Sequence, residues 1–150
     1  MPDIVHLVRI RATPERVYQA LTDAQDIRQW WTREAELDAR VGGRGEFRFY
    51  DGKVVTQVRI EALEPSRHVA WRTTNSGAPG EWKDTTISFE LRAEGDETVL
   101  RFAHRGFAQE SEGFALVSTG WAYYLVSLKR HLEAGDGAPQ QDKDFVKVLG

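Results

Sequence analysis

The spacing of apolar side chains changes twice along the chain, and each change predicts a change of element. Residues 3–12 carry Ile4, His6, Val8 and Ile10 on one parity and Val5, Leu7, Arg9 and Arg11 on the other. This predicts a strand whose first half is covered on both faces. Thr13-Pro14-Glu15 then supplies a hydroxyl N-cap, a proline at the first helical position and an early acid, and Val17, Ala20 and Leu21 follow at helical spacing. Thr22-Asp23 interrupts this short amphipathic helix. Ile27, Trp30 and Trp31 repeat the three-and-four step, so a second short helix ends at the tryptophan pair.

After Val41-Gly42-Gly43, which must turn, the period drops to two. Residues 45–50 alternate, with Phe47 and Phe49 on one face, and run into Asp51-Gly52, a type I′ hairpin signal. Val54, Thr56, Val58 and Ile60 form the inward face of the next strand, and Val69, Trp71 and Thr73 that of a third. Residues 74–80 are a polar, breaker-rich loop. Ile87, Phe89 and Leu91, then Leu100, Phe102 and His104, mark two more strands on either side of Glu94-Gly95-Asp96.

The period then lengthens again. Val117, Trp121, Tyr124, Leu125, Leu128 and Leu132 make one broad apolar stripe on a long helix, with Lys129, Arg130 and His131 in its last turn and Gly135 as C-cap. The expected fold is α+β: a curved antiparallel sheet of about seven strands around a long C-terminal helix, with two short helices after the first strand. That helix alone has enough apolar surface to cover the sheet. Residues 1–135 form the domain. Residues 136–150 are a polar tail, either frayed or docked through Phe145 to Leu149.

Composition narrows the chemistry. Hydrophobic residues at 41% and charged residues at 29% of 150 match a globular chain, and a net charge of −3 offers no basic field for nucleic acid or anionic lipid. The absence of cysteine excludes disulfides, thiolate metal sites and a cysteine nucleophile, and suits the cytoplasm. Asp3, His6 and Arg9 break up any signal-peptide core, and no apolar run approaches a membrane span. The unusual quantity is aromatic: five Trp, four Tyr and seven Phe. Large stiff rings suit both a core and the wall of an apolar cavity.

The candidate reactive groups are few. His6, His68, His104 and His131 are scattered, so no metal site is expected; His68 and His131 read as surface residues. No GxSxG elbow is present, and residues 41–45 precede a strand without a Lys-Ser/Thr ending, so they read as a turn and not a phosphate loop. No cofactor is expected. Arg48, Arg59, Arg72 and Arg101 fall on outward parities. His104 shares the inward parity of Leu100 and Phe102, either as a histidine satisfied at a strand end or as a ligand donor or general acid/base. Gly120 costs about 1 kcal/mol inside a helix, which predicts a close approach of that helix to the sheet or a short helix. Of the tryptophan pair, one ring is expected to plug the core and the other to be partly exposed near a cavity mouth.

Five stretches carry a resemblance: residues 12–22, Trp30-Trp31-Thr32, Val41-Gly42-Gly43, residues 98–107 and residues 120–129. Together they resemble the START-like, or SRPBCC, superfamily, in the subgroup named after the C-terminal domain of the heat-shock-protein ATPase activator. The resemblance implies a helix-grip fold with an internal cavity for an apolar small molecule. On that reading the ligand-binding wall comprises Phe47, Phe49, Thr56, Val58, Trp71, Phe89, Phe102, His104, Trp121, Tyr124, Leu125 and Leu128, with Trp31 near the entrance. His104, Thr56 and Tyr124 would orient the ligand. The expected role is binding of a hydrophobic or aromatic small molecule by a carrier, sensor or sequestering protein. The alternatives are a polyketide cyclase or aromatase using His104, and a protein-interaction module related to chaperone activators. A homodimer is left open.

Overall fold

The computed structural model describes residues 2–140. In chain order the elements are β1 (Ile4–Ile10), α1 (Pro14–Thr22), α2 (Ala24–Trp30), β2 (Glu34–Leu37), β3 (Arg44–Phe49), β4 (Val54–Glu64), β5 (His68–Ser76), β6 (Thr86–Glu94), β7 (Glu97–Arg105) and α3 (Glu112–Ala134). The seven strands form one antiparallel sheet in the order β1-β7-β6-β5-β4-β3-β2. Only the β1 to β7 pairing departs from a meander, and α1 and α2 fill the gap it leaves in the sequence. No helix of the described residues is long and apolar enough to cross a membrane. Phe145 to Leu149 lie outside the described residues.

The helix boundaries follow from local chemistry. Thr13 Oγ1 accepts from the Arg16 N–H, and Asp23, the single residue between α1 and α2, accepts through Oδ1 from the Gln25 N–H to start α2. Ser111 caps α3 through the Phe114 N–H, and Gly135 closes it in the left-handed conformation at φ 67°. In the β3–β4 hairpin Asp51 and Gly52 take φ 56° and 83°, and Lys53 N–H closes the turn on Tyr50 O at 3.2 Å. The strand at Glu34–Leu37 has no counterpart among the individually placed strands of the sequence reading; it is short, and Glu34 and Glu36 occupy its exposed face.

Three expectations are corrected. Val5 and Leu7 are exposed, because β1 is an edge strand and α3 covers only its other face. Trp30 and Trp31 are both buried: Trp30 packs toward α1, donating from Nε1 to Ala20 O at 2.9 Å, while Trp31 turns into the sheet. His131 is not a free surface residue. Its Nε2 lies 2.8 Å from Asp26 Oδ1, and Arg16 grips both oxygens of the same carboxylate at 2.8 and 2.9 Å. Burial alone would raise the Asp26 carboxyl, but the hydrogen bonds from Arg16 and His131 outweigh it and hold the group below the usual carboxylate range. One carboxylate thereby ties α1, α2 and α3 together.

Candidate functional site

The concave face of the sheet is filled at one end and hollow at the other. At the filled end Trp31 meets Phe47, Trp71 and Trp121 at ring separations of 4.6, 5.9 and 5.0 Å, and Phe89 stands edge-on to both Trp71 and Phe102. Above this aromatic floor the cavity is a pocket of about 450 Å³, partly open to solvent and within the size range of small-molecule sites. The first half of α3 supplies one wall with Leu116, Val117, Gly120, Trp121 and Tyr124. The hairpin contributes Phe49, Tyr50 and Val54, the loop between β5 and β6 contributes Gly77, Ala78, Pro79 and Trp82, and Trp31 forms the base. No Asp, Glu, Lys, Arg or His is among these residues.

The loop wall is held by backbone contact. A Cβ on Gly113 would lie 2.6 Å from Gly80 N, so the loop crosses the first turn of α3 at a pair of glycines. Trp82 then folds back, its Nε1 donating to Pro79 O at 2.8 Å. Tyr50 at φ 55° and Glu81 at φ 58° sit on the two lips in a conformation unfavourable for side-chain-bearing residues. Burial pushes the Tyr124 phenol upward, so it faces the hollow as a neutral hydroxyl.

His104 belongs to the wall's support. An indole N–H can only donate, so the 3.0 Å contact from Trp121 Nε1 makes His104 Nδ1 an acceptor and leaves the ring proton on Nε2. That proton is donated to Thr85 Oγ1 at 2.8 Å, and the Thr85 hydroxyl passes its own to Trp82 O. The relay joins three elements and fixes two of the cavity's rings. Burial pushes the imidazole down to about 3, and the ring does not line the cavity.

Of the residues singled out from sequence, Trp31, Phe49, Trp121 and Tyr124 line the cavity. Phe47, Val58, Trp71, Phe89, Phe102, Leu125 and Leu128 share the same interior but pack into the floor and core. Thr56 is buried with its hydroxyl 2.8 Å from Ser76 Oγ, beside the loop wall, and His104 is buried in the relay. The sequence reading missed Tyr50, Val54, the loop residues, Leu116, Val117 and Gly120 as lining. Trp82 carried a usable signal, a large aromatic stranded among breakers where no strand needs it. Gly120 reverses its expectation: a Cβ there would meet nothing within 4 Å, so the glycine does not serve a close helix approach.

An antiparallel sheet gripping a C-terminal helix, with two short helices inserted after the first strand, defines a START-like helix-grip protein. Residues 11–133 match the family described as activator of Hsp90 ATPase homolog 1-like protein, and the chain belongs to that family. It is similar to the Aha1 dimer from Colwellia psychrerythraea, at 36% identity and a TM-score of 0.81, covering 91% of this chain and 100% of that one. CalU16 from Micromonospora echinospora is 26% identical with a TM-score of 0.69, over 89% of this chain and 77% of that one. An Hsp90 activator from Plasmodium falciparum shares the fold at 18% identity and a TM-score of 0.70, over 89% and 96% of the two chains. No curated protein matches the chain.

Proposed function

We propose that this protein binds an apolar or aromatic small molecule in the cavity above Trp31, as a carrier, sensor or sequestering protein. One observation carries the reading: about 450 Å³ of space lined by three tryptophans and by no Asp, Glu, Lys, Arg or His. A hollow of that kind forfeits dispersion contacts that a filled core would make, and an apolar guest restores them. Each aliphatic or aromatic group it covers contributes roughly 1.5–3 kcal/mol. Catalysis by His104 has no support in the geometry, since both ring nitrogens are engaged and neither reaches the hollow. The test is native mass spectrometry of protein purified from its own host. A retained adduct that dissociates on denaturation is expected; a bare polypeptide mass, under conditions that keep a control lipid carrier loaded, refutes the reading.

A second reading, association with protein, is favoured by the exposed Val5 and Leu7 on the β1 edge. The Colwellia relative is described as a dimer, which supports self-association of this chain. Sedimentation equilibrium at micromolar concentration tests it: a single 17.1 kDa species removes the homodimer.

A further inference from the structure

We propose that Gly120 is the residue that makes room for the ligand, and that the ligand is an uncharged, flat, ring-bearing molecule lying against the bare helix backbone at that position. The inference rests on the cavity being a binding site. Its first support is an anomaly in α3. Glycine is a poor residue inside a helix, and the usual reason for tolerating it buried is that another element presses against it. Here the reverse holds. Gly120 is buried well inside Glu112–Ala134, yet an added Cβ would meet nothing within 4 Å. It sits at the centre of the lining stripe, between Leu116 and Val117 one turn before and Tyr124 one turn after. The missing side chain therefore enlarges the hollow and exposes a strip of backbone to whatever occupies it.

The shape and charge of the guest follow from its neighbours. Trp31, Trp121 and Trp82 form a flight of indoles, with successive ring centroids 5.0 and 6.1 Å apart and tilts of 31° and 26°. A flat ring can extend such a series, packing on the indoles in the offset or edge-on arrangements that aromatic rings favour. Since no Asp, Glu, Lys, Arg or His lines the space, a charge carried into it would lose water without gaining an ionic partner, which is strongly unfavourable.

The experiment uses two dyes with one ring skeleton. N-phenyl-1-naphthylamine is neutral, and 1-anilinonaphthalene-8-sulfonate adds a fixed negative charge. Binding is read by energy transfer from the cavity tryptophans in the wild type and in Gly120→Ala, Gly120→Leu and Val41→Ser, the last altering an exposed apolar residue in the turn before β3. The neutral dye is expected to bind at least tenfold tighter than the sulfonate. Val41→Ser should leave this unchanged. Gly120→Ala should weaken the neutral dye by roughly tenfold, as an added methyl in an apolar pocket does, and Gly120→Leu should abolish binding. Both Gly120 variants should melt no lower than wild type, and Gly120→Ala about 2–4 °C higher. A packing glycine would show the opposite, a fall in melting temperature. Wild type that binds the neutral dye while Gly120→Leu binds it equally well overturns the role of Gly120 and leaves the cavity reading standing. Equal or tighter sulfonate binding overturns the uncharged ligand. Wild type that binds neither dye overturns the cavity reading itself.

Discussion

His104 makes acid sensitivity a quantitative test of the buried relay. The imidazole is fully buried, accepts from Trp121 and donates to Thr85, and burial holds it down to about 3. In the unfolded chain the same ring titrates near its ordinary value of 6.5. Above pH 6.5 both states are neutral, and the full stability is present. Below it the unfolded state binds a proton that the folded state refuses, so stability falls by about 1.4 kcal/mol per pH unit until the folded ring also protonates near pH 3. By pH 4.5 the loss from this one group is about 3 kcal/mol. Other carboxylates and histidines titrate as well, so the measurement is a comparison with His104→Gln, which keeps an acceptor and a donor but cannot be protonated. Urea unfolding is followed at half-unit steps from pH 8 to 4.5. At pH 8 the variant should be less stable by roughly 1–3 kcal/mol through imperfect hydrogen bonding. The gap should close as the pH falls below 6.5, at a slope approaching about 1.4 kcal/mol per pH unit, the value for one proton. Parallel curves for the two proteins would show that His104 protonates alike folded and unfolded, and would refute the neutral buried relay.

Two further perturbations test the frame around the site. Asp26→Asn should lower stability by roughly 1–3 kcal/mol, the penalty for a broken buried pair discounted because Arg16 is two-fifths exposed. The contribution that Asp26 loses is one present above the ordinary carboxylate range, so the variant's deficit in chemical denaturation should shrink as pH falls through the folded value of the acid. Gly113→Ala places a Cβ 2.6 Å from Gly80 N, which has no flexible side chain to give way, and should cost roughly 1–3 kcal/mol of stability in the same assay. It should also weaken dye binding, because the displaced loop carries Pro79 and Trp82.

The architecture was legible because period, caps and turn residues agree with one another. Thr13, Asp23, Asp51-Gly52 and Gly135 each act through local backbone chemistry, and each sits in the structure where the sequence puts it. The site was legible only in part. Alternation decides which face of the sheet a side chain takes, and Phe47, Trp71, Phe89 and Phe102 do take the concave face. It says nothing about distance along the sheet from the point where α3 touches down. Those four lie beneath Trp31 and Trp121, whereas the hollow begins beyond them, where lining comes from loop paths. The contacts that fix those paths, Gly80 against Gly113 and Trp82 Nε1 on Pro79 O, join residues with no periodic signature. His131 and Asp26, 105 positions apart, meet for a similar reason: their pairing depends on how three helices cross.

The aromatic excess then has a specific physical role. A floor of interlocked rings resists deformation, because moving one ring off its neighbours sacrifices contacts on several sides at once. Its crowding is such that Trp71 Nε1 is buried with no hydrogen-bond partner among the described residues. The lips are built differently, from a hairpin and a loop in which Tyr50 and Glu81 hold left-handed φ values. Such residues keep their strain only while surrounding contacts enforce it. The division predicts which walls respond to a guest. The floor and α3 hold their geometry, and the hairpin and the β5–β6 loop are the walls that adjust to a guest. Hydrogen exchange should therefore be faster in residues 50–53 and 77–83 than at Trp71 or Phe102, and saturating N-phenyl-1-naphthylamine should slow exchange in those two segments first. Uniform slowing across the sheet would instead place the adjustment in the sheet itself.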